Sequence, residues 1–166
     1  MPNWCSNSLT FSGKNVSIAK EMFDELVKKY KRGDGSGVKP DMIAERAEGP
    51  NPYMFELRSY DSDLIEDATY YYDTKWSPNV EDIAVISRAL DCDFKMYYEE
   101  LGCGIYGYTE MVNGVTKIID LEDEDMDEIN YDEEKDTYLF RGQEWESSEE
   151  CYETLLAEKI TASLSI

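Results

Sequence analysis

The sequence predicts an α+β fold on three observations: two amphipathic helical stripes set between extended segments, a tyrosine-rich run at 70–72 of strand-forming character, and an Asn113-Gly114 turn between two extended stretches. At 166 residues the chain suffices for one domain with an appendage. A chain of this length buries about 70% of the surface its unfolded form exposes, so a sizeable core is expected. The expected organisation is a sheet-and-hairpin domain over 1–121, with an acidic segment and a C-terminal helix over 122–166 packed on it.

The elements follow in order. Leu9 and Phe11 alternate with Thr10 and Ser12 in a first strand over 4–12, closed by Gly13, Lys14 and Asn15. Ile18, Met22, Phe23, Leu26, Val27 and Tyr30 then share one helical stripe, which Gly33 ends. Gly33, Gly35, Gly37, Pro40, Gly49, Pro50 and Pro52 predict a loop with a short turn at 42–46. Two extended segments follow, 53–59 and 67–76, the second dominated by Tyr70, Tyr71 and Tyr72. Ser77 as N-cap and Pro78 in the first turn open a second helix with the face Val80, Ile83, Ala84, Ser87 and Leu90. Over 93–100, Phe94, Met96 and Tyr98 alternate with Lys95, Tyr97 and Glu99. The resulting order, βαββαβ, is the ferredoxin-like arrangement. Asn113-Gly114 adds a hairpin between 105–112 and 115–121, because both turn positions need positive φ. Beyond the acidic stretch, 137–141 forms one more short strand, and Ser147 with Glu150 makes a capping box before Cys151, Leu155 and Ile160.

Charge bounds function more tightly than any motif. Acidic residues number 37 against 16 basic ones, histidine is absent, and the formal charge is −21. Eleven acids against one base between Asp120 and Asp136 give that stretch −10. So negative a field repels nucleic-acid phosphates, anionic membranes and nucleotide tails, and leaves basic protein surfaces as the large partners. The 13 tyrosines argue against disorder throughout, since disordered chains of high net charge are poor in aromatics. Cys5, Cys92, Cys103 and Cys151 form no C-x-x-C pair, so zinc-site and thioredoxin spacings are missing and four buried or half-buried free thiols are expected. With no secretion-signal pattern and no run of roughly 18 apolar residues, the expected setting is the cytoplasm, with reduced cysteines.

Three blocks carry a resemblance. They are Met1-Pro2-Asn3-Trp4-Cys5-Ser6-Asn7-Ser8-Leu9 with Gly13, then Thr74-Lys75-Trp76-Ser77-Pro78, then Tyr98-Glu99-Glu100-Leu101-Gly102-Cys103-Gly104-Ile105-Tyr106-Gly107. Together they resemble the YubB-like family of plasmid and phage accessory proteins, which implies a ferredoxin-like domain over about 1–115 and no assigned activity. Leu101 stands where that family has proline, a departure that loosens the turn. The acidic stretch lies outside the resemblance. Physics supplies structural roles for the same residues: Trp4 and Trp76 as core anchors, Gly102, Gly104 and Gly107 as places where backbones turn or approach, and Pro78 as a helix start. The alternative is a small-ligand or metal-binding site where Trp76, Tyr98, Glu99 and Glu100 converge at the glycine-rich turn.

Catalytic templates mostly fall away. Without histidine, Ser-His-Asp and Cys-His nucleophile systems and imidazole metal sites are excluded. Paired carboxylates such as Glu99 with Glu100, or Asp61 near Asp63, are expected from abundance alone. Gly33-Asp34-Gly35-Ser36-Gly37 follows a helix rather than a strand and lacks the Gly-Lys-Ser/Thr ending of a phosphate loop. Lys28, Lys29, Lys31 and Arg32 favour the negative end of the first helix. RNA recognition on a ferredoxin-like sheet needs aromatics framed by positive charge, and here acids frame them. Asp123, Asp125, Asp127 and Glu134 match positions 1, 3, 5 and 12 of an EF-hand loop, yet Glu128 replaces its obligatory glycine. No enzyme, metal or cofactor is expected.

The acidic stretch therefore carries the functional reading: taken alone, a charge run is a solvated, partly mobile loop that keeps a protein soluble, and the sharper reading is a nucleic-acid mimic. The residues expected to meet a partner are Asp120, Glu122, Asp123, Glu124, Asp125, Asp127, Glu128, Asp132, Glu133, Glu134 and Asp136, supported by Glu144, Glu146, Glu149 and Glu150. Carboxylates on one face of a strand recur about every 6.6 Å, near twice the 3.4 Å phosphate spacing of a DNA strand, so Asp120, Glu122 and Glu124 are expected to form a row. Met126, Ile129 and Tyr131 would tack that row onto the domain. Such a protein inhibits a DNA- or RNA-binding host enzyme, of the anti-CRISPR or anti-restriction type, by occupying its basic groove.

Overall fold

Alternation in β1 (Trp4–Ser12) sets the two faces of the main sheet. Cys5, Asn7, Leu9 and Phe11 are buried, and Ser6, Ser8 and Thr10 point the other way. The computed structural model describes residues 3–46, 51–60 and 68–164, so the expectations at Asp61, Asp63 and Asp67, and at Gly49 and Pro50 of the loop, lie outside the described residues.

After β1 come α1 (Val16–Arg32), β2 (Phe55–Ser59), β3 (Ala68–Lys75), α2 (Val80–Leu90) and β4 (Asp93–Glu100). A 3₁₀ turn (Leu101–Cys103) leads to β5 (Ile105–Val112) and β6 (Val115–Asp120). These strands form one antiparallel sheet in the order β2-β3-β1-β4-β5-β6. Its β2-β3-β1-β4 part is the ferredoxin-like pattern, and the β5–β6 hairpin extends the edge beyond β4. Asn113 and Gly114 both hold positive φ, 51° and 79°, as the hairpin turn requires.

The first core lies between this sheet and helices α1 and α2. Phe11 and Phe23 meet edge to face at 5.0 Å, a contact worth about 0.5–1.5 kcal/mol beyond the area it buries. Tyrosine rings join this core because their hydroxyls find partners. Tyr70 donates to Asp24 Oδ1 at 2.8 Å, Tyr72 to Asn79 Oδ1 at 2.8 Å, and Tyr98 to Asp120 Oδ1 at 2.6 Å. Gly107 must lack a side chain, since a Cβ there would lie 2.2 Å from Asp120 Oδ1 and 2.6 Å from Tyr98 Cε2.

A second unit follows: α3 (Asp123–Met126), β7 (Ile129–Asp132), β8 (Thr137–Phe140), β9 (Gln143–Trp145) and α4 (Ser148–Leu164). β7, β8 and β9 form a three-stranded antiparallel sheet. Its core joins Phe140, Cys151, Leu155 and Leu156 to Tyr106 and Tyr108 of β5 and to Leu121. β5 thus serves both cores, sending Met111 to one face and Tyr106 and Tyr108 to the other.

Several expectations are corrected. Ile18 is half exposed, and Ala19 takes its place on the buried stripe of α1. Helix α2 starts after Asn79 rather than at Ser77-Pro78. Trp76 turns the chain at φ 72°, the Ser77 carbonyl accepts from Thr74 Oγ1 at 2.8 Å, and Tyr72 anchors Asn79. Trp4 and Trp76 are 43% and 55% exposed and do not anchor the core. Strand β2 begins at Phe55 rather than 53, because Met54 is tied to Val38 by a two-bond bridge of 2.7 and 2.8 Å. Cys5, Cys92 and Cys151 are buried as free thiols, but Cys103 is exposed in the 3₁₀ turn. Of the capping box at α4, the half in which the Glu150 amide donates to Ser147 Oγ is present at 3.3 Å.

Candidate functional site

The acidic stretch is folded, and its backbone does not follow a single strand. Asp120 ends β6, Glu122 is the N-cap of α3, and Asp123, Glu124 and Asp125 occupy that helix's first turn, where the N-terminal dipole favours carboxylates. The row of Asp120, Glu122 and Glu124 along one strand face is therefore not formed, because the chain leaves the strand at Asp120 and coils. The EF-hand spacing is not realised as a loop either. Asp123 and Asp125 sit in a helix, Asp127 closes it, and Glu134 belongs to the β7–β8 turn.

Side chains hold this unit in place. Met126 and Ile129 pack on the second core, as the sequence suggests, while Tyr131 is half exposed. Tyr131 contributes in another way: its hydroxyl donates to Asp136 Oδ1 at 2.6 Å and its ring lies 5.1 Å from that of Tyr138. Asp132 Oδ1 accepts from the amides of Glu134 and Lys135 at 3.0 and 3.3 Å and fixes the β7–β8 turn. Asp125 accepts the Glu122 amide at 2.7 Å and pairs with Lys159 of α4. Burial works against ionisation of Asp125, but the Lys159 and Glu122 hydrogen bonds outweigh it and hold its carboxyl below the usual range. Arg141 joins Glu128 at 3.4 Å and Glu158 at 2.6 Å, and Lys135 pairs with Glu144.

These contacts sort the eleven expected partner-facing residues. Asp120, Asp125, Glu128, Asp132 and Asp136 are engaged within the protein. Asp123, Glu124, Asp127, Glu133 and Glu134 are exposed and have no basic partner among the described residues. Glu122, at the head of α3, is exposed as well. The available charge is thus displayed from a helical turn and a hairpin tip whose backbones are fixed.

The four residues of the ligand alternative do not converge. Neighbours on a strand point to opposite faces, so Glu99 faces away from α1 and α2, toward α4, while the Tyr98 hydroxyl reaches Asp120. Trp76 stands exposed at the end of β3, and Glu100 at the 3₁₀ turn has one oxygen buried without a hydrogen-bond partner. What the fold builds instead is a groove of about 670 Å³ between the open sheet face and α4. Tyr98 and Glu99 border it, together with Ser6, Ser8, Arg58, Tyr71, Asp73, Tyr97 and Tyr106 from the sheet. Helix α4 adds Glu153, Leu156, Ala157 and Ile160. Burial first, and then repulsion from Glu149 and Glu153, pushes the Glu99 carboxyl upward. The signal for this groove was available in the alternation of β1, β3 and β4: the residues out of phase with the core are Ser6, Ser8, Tyr71, Asp73, Tyr97 and Glu99.

A second cleft, of about 430 Å³, lies beside the start of α2. It borders Asp82, buried and paired with Arg46, and Asn79, whose Nδ2 is buried without a partner.

A family model described as "Ferredoxin-like domain in Api92-like protein" matches residues 54–141, just over half of the chain. The matched span runs from the start of β2 past the end of β8 and so includes the acidic stretch. Neither the comparison with curated proteins nor that with solved structures gives a match. Among the described residues no helix is long and apolar enough to cross a membrane.

Proposed function

The chain belongs to the family of the ferredoxin-like domain in Api92-like protein, and from that premise we propose that it is a non-enzymatic acidic protein that docks on a basic protein surface. Asp123, Glu124, Asp127, Glu133 and Glu134 provide the contact charge. The partner is a nucleic-acid-binding protein, and docking there competes with DNA or RNA for a positive groove. Carriage by a plasmid or phage, as the YubB-like resemblance implies, and action against a host defence protein in the cytoplasm belong to the same proposal.

The observation that supports this reading best is the attachment of the acidic stretch to a core of its own. Met126, Ile129 and Phe140 pack with Leu155 and Tyr106, so the outward carboxylates hang on a folded support. Fixed charges lose less conformational entropy on association than charges on a mobile tail, and they discriminate between surfaces by their arrangement. With the single-strand row absent, resemblance to a nucleic acid rests on charge density over α3 and the β7–β8 turn rather than on phosphate-like spacing.

The test is affinity capture with the full chain beside a variant carrying Asp123→Asn, Glu124→Gln, Asp127→Asn, Glu133→Gln and Glu134→Gln. The expected result is capture of a nucleic-acid-binding protein that duplex DNA or RNA displaces, that weakens steeply with added salt, and that the variant loses. Equal capture by the variant, or capture insensitive to competing nucleic acid, sinks the reading.

A further inference from the structure

We propose that the groove on the open sheet face takes one cationic side chain, an arginine or lysine presented by an extended basic segment of the protein partner. The inference rests on the reading of the chain as a binder of basic surfaces, and it adds a specific contact away from residues 120–136.

The groove has the right shape for such a contact. Its volume of about 670 Å³ falls in the span of roughly 300–1,000 Å³ typical of ligand sites. Its floor is aromatic, with Tyr71 of β3, Tyr97 of β4 and Tyr106 of β5, and Asp73, Glu99 and Glu153 stand around it. An aromatic face attracts an ammonium or guanidinium by about 0.5–1 kcal/mol when exposed and about 2 kcal/mol or more when desolvated.

The protein already makes this contact once inside the groove. The Arg58 guanidinium lies 5.6 Å from the centre of the Tyr71 ring. Tyr97 is 47% exposed, and among the described residues no cation lies over its ring, whereas Tyr106 is buried with its ring against Tyr152. Among the described residues, Arg58 is also the one base bordering the groove, against three carboxylates. An incoming positive charge would offset the repulsion that Glu149 and Glu153 exert on Glu99. An anionic ligand would add to it.

The wall favours a side chain over a bare ion. Leu156, Ala157 and Ile160 of α4 face the groove. The methylene stem of arginine or lysine can lie along such a surface while its head reaches the carboxylates and rings.

Titration of the isotope-labelled full chain with the capped peptide Gly-Gly-Arg-Gly-Gly, beside its Gly-Gly-Gln-Gly-Gly counterpart, tests the proposal by NMR. The arginine peptide should shift the signals of Tyr97, Glu99 and Tyr106, and the glutamine peptide should not. Tyr97→Leu, and separately Glu99→Gln with Glu153→Gln, should weaken binding about tenfold, with melting temperatures confirming that each variant folds. Equal response to both peptides, shifts confined to 122–136, or unchanged affinity in both groove variants overturns the inference. The two readings fail separately. Loss of partner capture on neutralising the acidic unit, with a silent groove, removes only the groove. A responsive groove with capture indifferent to those acids keeps the groove and removes the docking role of the acidic unit.

Discussion

Among the described residues Asp82 is the one charged side chain that is buried, 1% exposed, with one oxygen paired to Arg46 and the other without a hydrogen-bond partner. Burial pushes its carboxyl upward, Glu81 adds to the rise, and Arg46 opposes both. A carboxyl whose folded pKa exceeds its unfolded value costs stability as pH climbs through the interval between the two, and the cost is constant above it. Replacing Asp82 by Asn should therefore raise the melting temperature at pH 7, by about 1 kcal/mol of stability. The gain should shrink as pH falls toward about 4, near the unfolded carboxyl value. A lower melting temperature at pH 7 would show that attraction to Arg46 outweighs the burial cost. The same scale shows what the sequence could disclose. Alternation correctly buries Leu9, Phe11, Phe94, Met96 and Tyr98. Trp4 is exposed despite its size because it shares its phase with Ser6 and Ser8 on the open face, so parity along the strand outweighs side-chain size. The orphaned oxygen of Asp82 was not foreseeable, since its neighbour Arg46 comes from a loop remote in sequence.

Elements differ in how plainly they could be read, and length is the physical reason. Helix α1, β4 and the β5–β6 hairpin extend over enough residues for a period, or a turn chemistry, to declare itself. Helix α3 has four residues and β9 has three, too few for any period, and the run of acids around α3 hides its apolar contacts. Their stability comes from tertiary packing, which Phe140 centres. Truncating Phe140 to Ala should cost about 3–5 kcal/mol and release β7, β8 and β9 before the larger sheet. Amide hydrogen exchange should then rise at 129–132, 137–140 and 143–145, while β1, β3 and β4 keep their protection. Uniform loss of protection across both sheets would contradict a separable second core.

For the whole molecule, net charge is the dominant global property. With 37 acids against 16 bases, self-repulsion opposes the compact state, and ions relieve it. The melting temperature should rise between about 0.01 and 0.1 M salt, where the screening length contracts from about 30 to about 10 Å. A flat response would mean that the pairs made by Lys135, Arg141 and Lys159 already neutralise the crowded end. The fold class and the place of the charge were both legible in the sequence, because order of elements and composition need no contacts to be read. The groove needed the register that joins three strands and the helix that comes last, and no local stretch records those.

The central place of β1 also constrains how the chain is made. Leu9 lies opposite Tyr70 on one side, and Ser6 lies opposite Glu99 on the other. At a synthesis rate of roughly 5–20 residues per second, β1 leaves the ribosome ahead of both its neighbours and waits on the order of seconds for β4. During that interval α1 and β3 can already pack on β1, but its other edge has no partner, and a nascent chain halted before β4 exposes the backbone groups of Ser6 to Ser12 that pair with Asp93 to Glu99.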